Sequence, residues 1–146
     1  MRARAILLAA TALLAVGLIA GVANATPNQK VDLFQDGGAA GGAIDMAGPT
    51  GYGFVNYNTN ASGALRIVVG LKNAQPNTTY TIFLVCGPTH ATACGFIDIG
   101  SVTTDDDGNA TSGAIWIEDP PYAGGPDDHL DLIGGGEVYA ATPLTT

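Results

Sequence analysis

Ala64-Leu65-Arg66-Ile67-Val68-Val69-Gly70-Leu71-Lys72 is the stretch that decides the fold class. Leu65, Ile67, Val69 and Leu71 fall on every second position, and Arg66, Val68, Gly70 and Lys72 fill the alternate ones. A period of two puts the first set on one face of a β-strand, whereas a helix would need apolar residues three and four apart. Ile and Val also fit a pleated surface better than a helix interior. The turn cluster Asn58–Gly63 precedes this strand, and Asn73–Asn77 follows it.

The same reading extends in both directions. Lys30–Gln35 and Tyr52–Tyr57 read as strands upstream, separated by the Gly- and Ala-rich crossing segment Asp36–Gly51. Downstream, Thr78–Cys86 is rich in β-branched and aromatic residues. Phe96–Thr103 and Ala110–Ile117 flank an Asp-Gly turn and are expected to pair as a hairpin. His129–Ile133 and Glu137–Ala141 flank Gly134-Gly135-Gly136 and are expected to form another. Turn signals recur between these short segments, and no amphipathic helix stands out. The expectation is an all-β, antiparallel β-sandwich of seven to eight strands. Its core is expected to hold Leu65, Ile67, Val69, Leu71, Tyr80, Ile82, Leu84 and Ile115. Trp116 has the opposite parity from Ile115 and Ile117, so it either anchors a second packed face or stands partly exposed.

The first 25 residues have a different character. Arg2 and Arg4 precede the apolar run Ile6–Val22, and Ala23-Asn24-Ala25 is the small-x-small pattern cut by signal peptidase. A signal-peptide helix at 1–25, cleavage after Ala25 and a single domain at 26–146 are expected. No membrane anchor is expected after cleavage, and secretion places the domain in an extracellular or periplasmic space. Cys86 and Cys94 would then meet oxidising conditions and read as a disulfide.

Beyond residue 25, three bases (Lys30, Arg66, Lys72) stand against thirteen acids, leaving −10. No Lys or Arg follows Lys72. Such a chain repels nucleic acid and anionic membranes.

Ala74-x-Pro76-x-Thr78-x-Tyr80, ahead of the run Thr81-Ile82-Phe83-Leu84-Val85, resembles the tyrosine corner of fibronectin type III and related immunoglobulin-like domains. The resemblance implies an immunoglobulin-like or fibronectin-like sandwich. Pro76 would fix the turn, and the Tyr80 hydroxyl would bond back to the Asn73–Asn77 backbone. The chain departs from the motif in carrying Ala74 where Leu is usual. Residues 26–146 also look like a class of small secreted prokaryotic proteins of unknown role, on the basis of the Ala74-x-Pro76-Asn77-x-x-Tyr80 turn and the later Asp105–Asn109 turn. That likeness implies a fold and no activity.

Candidate sites are few. Asp105, Asp107 and Asn109 offer oxygen ligands at alternate positions, as a Ca²⁺ loop does. The Gly falls two places early for an EF-hand, and Trp116 occupies the twelfth position where Glu is required, so a capped turn is the expectation. If successive strands run antiparallel, their connections alternate between two ends. The Asn73–Asn77, Asp105–Asn109 and Gly134–Gly136 turns then share one end. His90, Glu118, Asp119, Tyr122, Asp127, Asp128 and His129 gather at the other, beside the Cys86–Cys94 loop. That second end is the candidate ligand end, suited to a metal or a sugar.

No Ser lies in a nucleophile elbow, and Gly37–Gly42 lacks the Lys-Ser/Thr of a phosphate loop. Asn60, Asn77 and Asn109 head glycosylation sequons in turns. The expected role is a non-catalytic secreted module that needs no cofactor and binds an extracellular partner or glycan. A metal- or carbohydrate-binding protein is the alternative, and a small secreted hydrolase the second alternative.

Overall fold

A computed structural model of the chain describes residues 28–37, 48–86, 95–118 and 129–141, apart from the side chain of Cys86. All regular structure among them is β-strand: β1 (Gln29–Gln35), β2 (Thr50–Thr59), β3 (Leu65–Leu71), β4 (Thr79–Cys86), β5 (Gly95–Thr103), β6 (Ala110–Thr111), β7 (Ile115–Ile117), β8 (His129–Gly134) and β9 (Glu137–Ala141). The signal helix expected at 1–25 lies outside the described residues.

The strands hydrogen-bond in the order β5-β4-β8-β9-β1-β2-β3, with β6 and β7 both lying along the far side of β3. Every pairing is antiparallel. This continuous path curls until its two ends approach. Ile115 Cδ1, on β7, reaches to 3.7 Å from where a Cβ would stand on Gly100, on β5. The result is an antiparallel, nearly barrel-like sheet around one core.

The alternation read from β3 holds. Leu65, Ile67, Val69 and Leu71 are fully buried, as are Tyr80, Ile82 and Leu84. All of these but Leu84 share a cluster with Leu33, Val55, Tyr57, Leu130, Leu132 and Tyr139 from the other strands, and Ile115 packs against this cluster while partly exposed. At about 25 cal/mol per Å² of apolar surface, each large side chain withdrawn here stabilises the fold by roughly 1.5–3 kcal/mol before ordering costs.

The expected hairpin across the Asp-Gly turn does not form. β5 pairs with β4, whereas β6 and β7 pair with β3, so the turn carries the chain from one limit of the sheet to the other. The local turn chemistry is nonetheless as expected. Asp105 Oδ1 accepts the N–H groups of Asp107 and Asn109 at 3.0 and 2.8 Å, and Gly108 has φ 76°. A Cβ on Gly108 would collide with the Ala74 carbonyl oxygen. Asp-Gly chemistry specifies a reversal of direction and leaves the choice of strand partners to tertiary packing.

The expected single strand Ala110–Ile117 is also interrupted. Ser112 exchanges two bonds with Val69, its N–H donating to the Val69 carbonyl and its Oγ accepting the Val69 N–H, each at 2.9 Å. Register then slips by one residue between Gly70↔Thr111 and Ile67↔Ile115, which is the signature of a bulge. The hairpin β8–β9 forms as expected, with Gly134 opposite Glu137 and both Gly135 and Gly136 at positive φ.

Candidate functional site

Strand alternation also determines the outer face of β1, β2, β3 and β7. Arg66 sits between Asn58 on β2 and Trp116 on β7. One row along, Val68 stands beside Asn56, which stands beside Lys30. In the next row Gly70 lies beside Phe54 and Phe54 beside Asp32. Lys72 continues the parity of Arg66 just past the end of β3.

Trp116 is 50% exposed on this face, so it points to solvent and not into a second packed layer. Phe54 lies flat against the sheet, because only hydrogen occupies the Cβ place of Gly70; a Cβ there would stand 2.7 Å from the ring. The Lys30 ammonium caps the same ring at 4.4 Å from its centroid, a cation–π contact. Beyond the ring, an open groove of about 370 Å³ is lined by Phe54, Lys72, Asp105, Asn109 and Thr111 among others. Lys30, Arg66 and Lys72 form no ion pair with any described residue. They are also the only bases after Arg4. The fold therefore collects every Lys and Arg of residues 26–146 on one side of an acidic domain.

The three turns expected to share an end do meet. Ala74 N–H donates to the Gly108 carbonyl at 3.1 Å, Asn77 N–H to the Asp105 carbonyl at 3.2 Å, and Gln75 Nε2 to the Gly135 carbonyl at 3.1 Å. Beneath them, Gln75 N–H donates to the Tyr80 hydroxyl at 3.2 Å, and that hydroxyl donates to Glu137 Oε2 at 2.9 Å. Thr78 Oγ1 donates to the Pro76 carbonyl at 2.9 Å. Tyr139 donates to the same Glu137 oxygen at 2.6 Å. Burial opposes ionisation of Glu137, but hydrogen bonds from Tyr139, Tyr80 and Gln75 outweigh it and hold the carboxyl below its ordinary value. Burial, then the Glu137 bond, pushes both tyrosines up. This network braces the turn end.

Of the candidate ligand end, Glu118 and His129 are described. Glu118 is exposed just past β7. His129 is buried on β8, with Nε2 3.4 Å from Asp131 Oδ1. Both point away from the core, since Leu130 and Leu132 take the inward positions. His90, Asp119, Tyr122, Asp127 and Asp128 lie outside the described residues, as do Cys94 and the Cys86 side chain, and with them the disulfide. Asp131 was not among the sequence candidates. Its signal was the alternation His129-Leu130-Asp131-Leu132, which places an acid and an imidazole on one strand face.

No family model, no curated protein and no solved structure matches the chain.

At the Asp105–Asn109 turn, Asp105 Oδ1 accepts both turn amides, the capping pattern of an Asx turn. Among the described residues there is no group of three or more His, Cys, Asp or Glu placed to hold a metal. In the Asn60 sequon, the Asn60 Oδ1 accepts the N–H of Ser62 and of Ala64, at 3.0 and 2.9 Å. The outer face of β1, β2, β3 and β7 thus presents one exposed aromatic, two amides and three cations.

Proposed function

We propose that this chain is a secreted, non-catalytic binding module, released after Ala25, whose recognition surface is the outer face of β1, β2, β3 and β7. The observation that carries this reading is Trp116, half exposed beside Arg66 and Asn58. An exposed Trp costs solubility and adds little to the core from there, whereas rigid aromatic and Arg side chains are the usual anchors of recognition surfaces. The interior strand β3 positions the face, so binding needs little ordering.

An immunoglobulin-like sandwich is the architecture that goes with this proposal. It is supported by the sharing of one core between β5-β4-β8-β9 and β1-β2-β3-β7, and by the bond between Tyr80 and the Gln75 amide. The partner is extracellular or periplasmic. Retention on the envelope fraction of producing cells tests the reading. Protein carrying both Trp116→Ala and Arg66→Ser should lose retention while its melting midpoint stays near that of the parent. Undiminished retention of the double variant would remove this face as the binding surface.

A further inference from the structure

We infer that the ligand of this face is a chain-shaped anionic polysaccharide, bearing uronate or sulfate groups and lying along β3 from Trp116 to the groove at Lys72; the inference rests on the binding-module reading. The shape comes from the placement of the cations. Arg66 and Lys72 are six residues apart on one parity, which is roughly 20 Å along a strand. Lys30 lies between them, two strands over in the Val68 row. A compact anion can meet one of these groups, but only an extended ligand meets all three.

The charge follows from the rest of the chain. Residues 26–146 carry thirteen acids, and every Lys and Arg among these residues lies on this face. Asp32 and Glu118 stand at the margins of the track and confine an anionic ligand to the line of the three cations.

The sugar chemistry follows from the uncharged groups. Trp116 offers a flat π-face, electron-rich enough to attract the C–H face of a pyranose ring. Asn56 and Asn58 each carry both a donor and an acceptor for ring hydroxyls. The groove, at about 370 Å³, has the size of a small-ligand site and presents Asn109, Thr111 and Asp105 beside Lys72. A peptide lying along the track would gain no backbone pairing with β2 and β3, interior strands whose ladders are filled on both sides, and the edge strand β7 offers only the three residues Ile115–Ile117. A second copy docked face to face would bring the same three cations together, which disfavours an isologous dimer.

Trp116 is the single tryptophan, so its fluorescence reports the site directly. Protein purified from producing cells is titrated at low salt with polygalacturonate, dextran sulfate, neutral dextran and polyglutamate. The expected result is a saturable emission change with one or both anionic polysaccharides, with the pair distinguishing carboxylate from sulfate recognition. Neutral dextran should bind at least about tenfold more weakly, the equivalent of one charge-assisted contact. Arg66→Ser and Lys72→Ser should each weaken binding about tenfold. Asp98→Asn, on β5 outside the β1-β2-β3-β7 face, changes the net charge by one in the opposite direction and should leave affinity within about twofold when the titration is repeated at about 0.15 M salt, where charges are screened over about 8 Å. Equal binding of polyglutamate, or an Asp98→Asn effect as large as that of Arg66→Ser, would replace the glycan with a non-specific polyanion response. If no polymer binds, envelope retention separates the two failures. Retention lost in the double variant leaves the face as a binding surface with the wrong ligand assigned, whereas unchanged retention overturns both readings.

Discussion

The outer faces of β3 and β8 make an informative pair. Each strand sends alternate residues into the same core, Leu65, Ile67 and Val69 from one, Leu130 and Leu132 from the other. Each places polar side chains on the opposite parity. On β3 these positions are partly exposed, with Arg66 and Val68 meeting Asn58, Asn56 and the open Trp116. On β8 the corresponding positions are shut away, with His129 at 3% and Asp131 at 2% exposure. Their neighbours Val85, Ala140 and Phe34 are buried too. A polar residue at an alternate strand position thus serves solvent on one side of this molecule and a buried pair on the other. The same two-residue period is compatible with both, because it fixes which residues face the core and says nothing about what covers the outer side.

That difference yields the largest expected effect. Asp131 lies buried 3.4 Å from the His129 imidazole, and removing its carboxyl leaves a polar cavity there, so Asp131→Ala should destabilise the fold by about 3 kcal/mol. Inward-facing Ile67→Ala should cost ~2–4 kcal/mol through lost transfer energy and a residual cavity. Urea unfolding monitored by Trp116 fluorescence measures both. Were Asp131→Ala to cost no more than an ordinary surface change, of about 0.5 kcal/mol, the two outer faces would be energetically alike and the contrast would fail.

The legibility of the fold divides along the same line. Strand existence and inward residues were readable, because alternation, β-branching and turn residues are local signals. The Gly134–Gly136 hairpin was readable for the same reason. The partners of β5 and β6 were not, since an Asp-Gly turn says nothing of which ladder each flanking strand joins. The Ser112 bulge was hidden because its oxygen substitutes for a backbone group in the ladder, and no pattern of apolar residues records that. For the site, the scarcity of bases was visible as Lys30, Arg66 and Lys72, but their common face depends on the register Lys30↔Asn56↔Val68, a non-local fact. The loop residues near Asp127 were grouped by the alternation of connections between two ends, and they lie outside the described residues.

A smaller effect is expected where the core meets the turn end. Tyr80→Phe keeps the buried ring and removes one hydroxyl that both accepts from Gln75 and donates to Glu137. The expected cost is about 1–2 kcal/mol, including the unpaired amide. The same cluster predicts a pH response. The folded-state pKa of Glu137 lies below its ordinary 4.5, so its contribution is present above that value and is lost as pH falls through the folded value. Tyr80 and Tyr139 are raised from 10.0, so their contribution is present below pH 10 and declines as pH rises beyond it. Glu137→Gln should flatten the acid limb of a stability–pH curve. An acid limb identical in parent and variant would mean that the carboxyl holds no preferential bond in the folded state.

The smallest effect belongs to the open face, and its smallness is the point. Arg66 occupies on β3 the kind of alternate position that Asp131 occupies on β8, yet it pairs with no described carboxylate and is not fully buried. Arg66→Ser removes an aliphatic stem from beside Trp116 and Asn58, and exchanges one residue for another that suits a strand no worse. Surface substitutions of this kind fall within about ±0.5 kcal/mol. The measured change in unfolding free energy should therefore be several-fold below that of Asp131→Ala, while binding at the face responds strongly. A loss above about 1.5 kcal/mol, large for a surface position, would place Arg66 in the structural framework. The β3 face would then be a second stabilising layer like that of β8, and the case for a surface kept free for a ligand would fall with it.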